Sequence, residues 1–245
     1  MNLLEVRGLT KVYTGLTAVR DVDFGVAAGS VTALIGPNGA GKTTCFNLIA
    51  GVVRSTAGRV SFAERDITGL VPEAACALGI ARTFQIVRPL AGMTVLENVV
   101  VGALLHERSI AAAERQARAV LERIGLGAKE RSLAAALALP ERKLLELAKA
   151  MATRPRLLML DEVMAGLRPV EADRIAQVLR ELNQDGLTIL LIEHVMRVVM
   201  AVADRIIVLH HGEKIAEGDP TSIAKDPKVI ECYFGARGAR QEASA

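Results

Sequence analysis

The stretch Gly36-Pro37-Asn38-Gly39-Ala40-Gly41-Lys42-Thr43-Thr44 sets glycines, a lysine and hydroxyls at the spacing G-x-x-x-x-G-K-[ST], which suits the grip of a polyphosphate. Gly36, Gly39 and Gly41 permit backbone dihedrals that a Cβ forbids, so peptide N–H groups can close on phosphate oxygens. Lys42 is placed to reach the β- and γ-phosphates, and the Thr43 hydroxyl to ligate Mg²⁺. An ordinary glycine-rich turn would account for the glycines but not for the Lys-Thr pair. Farther along, the apolar run Leu157 to Leu160 ends in Asp161-Glu162. A buried strand there would carry Asp161 to the metal and leave Glu162 to orient an attacking water. By itself such a pair is a strand end meeting solvent; with the phosphate loop upstream it becomes catalytic chemistry. His194 follows the apolar run Leu187 to Ile192 and Glu193. A lone histidine is most often structural, yet ligands collect at the carboxyl ends of parallel strands, where this one could meet a γ-phosphate.

These residues need elements to position them. Val31 to Ile35 reads as a strand into the glycine loop and Cys45 to Ala50 as a helix out of it, with Gly51 as the stop. The helix aims unpaired N–H groups and its positive dipole end at the same anion. Upstream, Leu3 to Gly8 and Asp21 to Ala27 read as β-runs around a turn at Thr14-Gly15. Tyr13 could stack on a base there, although the pattern alone favours a half-buried sheet tyrosine. Gly58 to Phe62 predicts a strand, Pro72 to Leu78 a short helix, and Arg82-Thr83-Phe84-Gln85 a strand end. From Ile86 the texture turns helical. Thr94-Val95-Leu96-Glu97 is a capping box, Ile110 to Ile124 a charged-faced helix ended by Gly125-Leu126-Gly127, and a third helix starts near Pro140 and runs to about Thr153. Pro155 turns the chain back into sheet, and Val170 to Leu182 predicts a helix. The run Arg205 to Leu209 ends in His210 and His211, where a structural reading prevails. The polar tail from Gly235 to Ala245 is expected to fray.

Composition narrows the class. The 245 residues are 51% hydrophobic and 23% charged, which excludes a disordered chain. No run reaches the roughly 18 uncharged apolar residues of a spanning helix, and the start Met1-Asn2-Leu3-Leu4-Glu5 shows no secretory signal. Cys45, Cys76 and Cys232, odd in number and scattered, fit a reducing compartment and buried small side chains. A net charge of +3 with interspersed acids argues against nucleic acid as a partner. The expectation is a cytoplasmic protein.

Taken together, GPNGAGKTT, ARTFQ, LLMLDE and LLIEH resemble, in order and across essentially the whole chain, the ATP-binding subunits of ABC transporters. GIARTFQ at Gly79 to Gln85, MTVLENVVVG at Met93 to Gly102 and DPKVIECYFG at Asp226 to Gly235 make it most similar to the ATPases of branched-chain amino acid importers. The resemblance implies an α/β P-loop NTPase core with a mainly parallel sheet, an N-terminal antiparallel β subdomain and an inserted helical subdomain. By position, 1–85 and 154–245 form the nucleotide-binding core, 86–153 the insert that docks on membrane subunits, and 236–245 a flexible tail. It implies that Tyr13 stacks on adenine, that Gln85 touches Mg²⁺ and the lytic water, that Glu162 is the general base and that His194 contacts the γ-phosphate. ATP and Mg²⁺ are the implied cofactors. The implied partners are a second ATPase subunit, same or related, transmembrane permease subunits and, indirectly, a solute-binding protein. The chain would then sit peripherally on the inner face of the cell membrane. A soluble ABC-type ATPase acting on nucleic acid or the ribosome is the alternative, opposed by the single ATPase unit and the near-neutral charge. A phosphate-loop kinase is a third reading, opposed by Glu162 and His194.

The chain departs from the family pattern at three places. The signature, typically Leu-Ser-Gly-Gly-Gln, falls on Leu137-Ala138-Leu139-Pro140-Glu141. The serine hydroxyl is missing, Pro140 offers no N–H to a phosphate across the dimer, and Glu141 brings a negative charge. The expected loss of grip is on the order of 1 to 3 kcal/mol. Val163 stands where proline is common, and Arg168 where an acid or amide is.

Overall fold

In the computed structural model, described for residues 1–84 and 87–233, the chain opens with a long hairpin, β1 (Asn2–Tyr13) and β2 (Leu16–Ala27), then β3 (Val31–Ile35) and α1 (Lys42–Ile49). There follow β4 (Ala57–Phe62), β5 (Arg65–Asp66), α2 (Pro72–Ala77) and β6 (Ile80–Arg82). Three helices come next, α3 (Val95–Ala103), α4 (Ile110–Ile124) and α5 (Leu139–Ala152). The chain continues through β7 (Leu157–Asp161), α6 (Pro169–Gln184), β8 (Thr188–Ile192), α7 (Met196–Val202), β9 (Arg205–His210), β10 (Glu213–Gly218) and α8 (Pro220–Ala224). Gln85, with Ile86, and the tail expected to fray lie outside the described residues.

A six-stranded sheet in the order β10-β9-β3-β8-β7-β6 carries the molecule. Its strands are parallel except for the antiparallel edge strand β10. Because both faces are covered, β3, β7 and β8 are buried along their whole length and read as unbroken apolar runs. The period of two still sorts their side chains. Ala33, Leu158, Leu160, Ile189 and Leu191 join the core under the helices that follow β6. Leu34, Leu157, Met159, Leu190 and Ile192 join Cys45, Phe46 and Ile49 of α1 and the inner face of the four-stranded antiparallel sheet β2-β1-β4-β5.

The N-terminal strands run farther than expected, to Tyr13 on one side and from Leu16 on the other. The Thr14-Gly15 turn pairs Tyr13 with Leu16, so polar residues beyond the apolar runs are zipped into the ladder, through irregularities near Gly8 and Leu9. At Gly58 the backbone is left-handed (φ 87°), and a Cβ would meet the Gly8 carbonyl oxygen at 2.3 Å and the Leu9 Cα at 2.6 Å. Gly58→Ala is therefore expected to cost about 1–3 kcal/mol, since backbone on both sides must shift; a lowered thermal midpoint checks this.

Local chemistry explains the helix starts. Thr94 accepts from the Glu97 N–H at 3.2 Å while Glu97 accepts from the Thr94 N–H at 2.7 Å, both halves of the capping box. Gly125, left-handed at φ 80°, closes α4 at the expected residue. β10 and α7 were not anticipated: the sequence Glu213–Gly218 is polar, as an exposed edge strand is, and joins β9 through the left-handed pair His211-Gly212. Of the cysteines only Cys45 is fully buried, its thiol pushed up to about 12 by desolvation; Cys76 and Cys232 are partly exposed.

Candidate active site

The parallel sheet brings the chemistry-bearing residues to one edge, because each follows the carboxyl end of a strand: the glycine loop after β3, Asp161 and Glu162 at β7, His194 after β8 and His211 after β9. A cleft of about 1100 Å³ opens there, lined by Tyr13, Asn38 through Thr44, Glu162, His194 and His211. Lys42, Glu162 and His194 thus meet in one place.

The glycine loop wraps its own lysine. Lys42 Nζ donates to the carbonyls of Gly36 at 2.7 Å and Pro37 at 3.0 Å, and the residue is 7% exposed. Desolvation pulls its ammonium below the ordinary lysine value, opposed by the negative charges of Glu162 and Asp161. Gly36 has φ 146°, and a Cβ on it would lie 2.0 Å from the Leu209 carbonyl oxygen, which is why the loop can hug β9. α1 begins at Gly41, left-handed at φ 100°, with no side-chain cap and no acidic residue in its first turn. Its leading N–H groups therefore face the cleft as an uncompensated positive end, the arrangement an anion completes.

On the acid side, Glu162 takes a left-handed backbone (φ 50°) between two anchors. Its N–H donates to the Ile192 carbonyl at 2.9 Å, and its own carbonyl accepts from Lys143 Nζ at 3.3 Å. His194 Nδ1 stands 3.5 Å from Glu162 Oε1. Next to it, the buried Glu193 accepts from the Met164 N–H at 2.9 Å, and burial raises its carboxyl above the ordinary range. Lys143 of α5, also buried, is pulled down by desolvation against the pull of Glu193 and Glu162. α5 is thereby tied to the loop that carries Glu162.

Asp161 is 1% exposed, and burial raises its carboxyl, opposed by Arg82 and Lys42. Its Oδ2 pairs with Arg82 Nη2 at 2.9 Å; its buried Oδ1 has no hydrogen-bond partner. Asp161 and Thr43 both line a second cavity, which Arg82 also lines. An orphaned carboxylate oxygen and a threonine hydroxyl from residues that line one cavity are an oxygen donor set fit for a magnesium ion.

Tyr13 closes β1 and is 41% exposed at the cleft rather than half-buried in the sheet, with Lys11 Nζ 4.9 Å from its ring centre. Gln85 lies outside the described residues. Leu137 through Glu141 stand away from this cleft's lining, at the start of α5. There the expectation for Glu141 needs correction. Its carboxylate is not a loose negative charge: it accepts from the Ala138 N–H at 3.1 Å and pairs with Lys129 at 3.0 Å. Although partial burial alone would raise it, these partners hold it below the usual carboxylate range. Pro140 does lack the N–H, and helical bonding starts with Arg142 N–H to the Ala138 carbonyl at 2.9 Å. Three residues stand at the site without a role expected from the sequence, His211 among them, whose structural reading is corrected by its place in the cleft lining. His211 at the cleft carried a signal, a histidine pair at the end of a parallel strand; Arg82 and Lys143 carried none, because their partners are remote in sequence.

Known proteins resemble the chain over most of its length. A family model described as "ABC transporter" matches residues 19–165, and one described as "Branched-chain amino acid ATP-binding cassette transporter" matches 213–239. The high-affinity branched-chain amino acid transport ATP-binding protein LivG of Salmonella typhimurium is 41% identical, over 95% of this chain and 98% of its own. BraF of Pseudomonas aeruginosa, of the same description, is 39% identical over 95% and 98%. Among solved structures, a nucleotide-free ATP-binding cassette from an ABC transporter superposes with a TM-score of 0.88 at 34% identity, covering 96% of this chain and all of the other. The chain therefore belongs to the ABC transporter family, as an ATP-binding, ATP-hydrolysing subunit of the branched-chain amino acid group.

Proposed function

We propose that this chain hydrolyses ATP at the cleft described above to power import of branched-chain amino acids or related small solutes, working as one of two ATPase subunits against membrane-embedded permeases supplied by a solute-binding protein. The observation that carries the reading is the convergence of Lys42, Glu162 and His194 on one cleft at the uncapped start of α1. Family relatives named for branched-chain amino acid transport support the solute class. No helix among the described residues is long and apolar enough to cross a membrane, so attachment to the inner face would run through the permeases.

Asn38 through Thr44 would offer main-chain N–H groups to the phosphates, with Gly36 and Pro37 shaping the turn, and Lys42 would move its donors from the loop carbonyls to the β- and γ-oxygens. Tyr13 presents an exposed ring for the base. Thr43 and Asp161 would hold magnesium, with Gln85 as a further contact, and the ion would supply positive charge to offset the negative charge of the phosphates. Glu162 accepts the proton of the attacking water, and His194 beside it steadies the γ-phosphate. No covalent intermediate is needed, since positioning and charge stabilisation do nearly all of phosphoryl transfer.

The signature of this chain would complete the partner's site. With Glu141 neutralised by Lys129, the deficit reduces to the absent serine hydroxyl and the absent Pro140 N–H. Pro140→Gly should restore one donor and raise turnover of the assembled complex, by an amount on the order of 1 to 3 kcal/mol of grip at the completed site; unchanged or slower turnover would count against a weakened signature. The reading as a whole is tested by reconstituting the chain with its permeases in proteoliposomes. ATP-driven uptake of leucine, isoleucine or valine is expected, and ATPase activity raised by RNA or DNA instead would favour the alternative.

A further inference from the structure

We propose that Arg82 is a positioning residue for the metal carboxylate: it clamps Asp161 by one oxygen and thereby leaves the other unpartnered for the cation that Thr43 would also hold. The inference rests on the reading of Asp161 and Thr43 as the magnesium donors.

Arg82 ends β6, which lies parallel to β7 with Arg82 in register with Met159. From there its guanidinium reaches two elements at once. Nη2 pairs with Asp161 Oδ2 at 2.9 Å, and Nη1 donates to Asn47 Oδ1 at 2.5 Å. Asn47 stands one helical turn beyond Thr43 on α1, so the two share a face of the helix that leaves the glycine loop. One planar cation therefore ties the acid at the end of β7 to the helix that presents the threonine. A guanidinium suits this because its donors are fixed in a plane and point at two acceptors without losing further rotamer freedom.

The clamp is not free to swing away. Its side chain is 9% exposed and that of Asp161 2%. The guanidinium carbon lies 5.8 Å from the ring centre of Phe46 and 5.4 Å from that of Phe84, within cation–π range of both. Asp161 Oδ1 is buried and lacks a hydrogen-bond partner, while Thr43, Arg82 and Asp161 line one cavity of about 530 Å³. A carboxylate deprived of water on both oxygens is costly, and Arg82 meets that cost on one oxygen only. Outer partners of metal-binding carboxylates act in this way, by fixing orientation. If Arg82 were merely a stand-in cation that the metal displaces, it would not need the second hold on Asn47.

Mn²⁺ as the probe, followed by electron paramagnetic resonance on the full chain saturated with a non-hydrolysable ATP analogue, tests the proposal. Arg82→Gln should weaken Mn²⁺ by about tenfold or more, and Arg82→Lys, which keeps the charge but not the two-armed plane, should weaken it less. Nucleotide affinity measured in EDTA should not change in either. Mn²⁺ held as tightly as by the wild type would overturn the proposal, and tighter binding would assign Arg82 the stand-in role instead. Should Arg82→Gln fail to fold, Asn47→Ala removes the second arm while keeping the ion pair, and must still lower Mn²⁺ affinity; an unchanged affinity there overturns the clamp. A wild-type chain that binds no nucleotide at all would show instead that the phosphate site is wrong.

Discussion

Glu162→Gln should lower ATP turnover of the assembled complex by about two to four orders of magnitude while nucleotide binding and the thermal midpoint stay at the wild-type level. The substitution keeps size and shape, so the backbone anchors survive: the N–H to Ile192 and the carbonyl held by Lys143 involve main-chain atoms. What is lost is the ability to accept a proton, together with the negative charge that faces Lys42 and His194. The left-handed backbone at Glu162 is strain maintained by those anchors, and it aims the carboxylate at the cleft beside His194. A carboxylate whose role was structural would give another pattern, a lower midpoint with turnover little affected. Single-turnover hydrolysis alongside equilibrium binding separates the two, and turnover within about tenfold of wild type would remove Glu162 from the base's role.

Lys42→Met should weaken ATP by about 10- to 100-fold, as expected for loss of a charge-assisted contact of about 1.5–3 kcal/mol, yet leave the empty protein no less stable. The ammonium is buried among carbonyls of its own loop, and desolvation holds its folded pKa below the unfolded one. The unfolded chain therefore binds more protons across the window between the two values. Wild-type stability rises with pH through that window, up to the ordinary lysine range, and the rise attributable to Lys42 should vanish in the variant. Titration calorimetry reads the first effect and thermal unfolding at several pH values the second. A variant that binds ATP normally would place the phosphates elsewhere.

The features legible in the sequence are those whose chemistry is local. Thr94 and Glu97 cap each other within one turn, Gly125 supplies the left-handed residue that ends α4, and the loop from Gly36 to Thr44 carries its whole logic in nine neighbours. The apolar runs of β7 and β8 announced buried parallel strands, and the acids and histidine after them were then placed by the topology of such sheets. What stayed hidden depends on pairs distant along the chain. Arg82 meets Asp161 across 79 positions, and Lys143 reaches back from α5 to the carbonyl of Glu162. Glu141 looked like an unbalanced charge because Lys129, its partner, belongs to a different turn of chain. β10 escaped for another reason: an edge strand made of Glu213, Lys214 and Glu217 protects itself from pairing by being polar, and so lacks the pattern by which strands are recognised.

The most direct measurement is a crystal structure of the Glu162→Gln chain with magnesium and ATP. The terminal phosphoryl group is expected beside Lys42 Nζ, the metal between Thr43 and Asp161, and the substituted amide at position 162 facing the γ-phosphorus together with His194 from the open side of the cleft. Nucleotide bound away from the glycine loop, or a γ-phosphate out of reach of both position 162 and His194, would contradict the hydrolytic assignment.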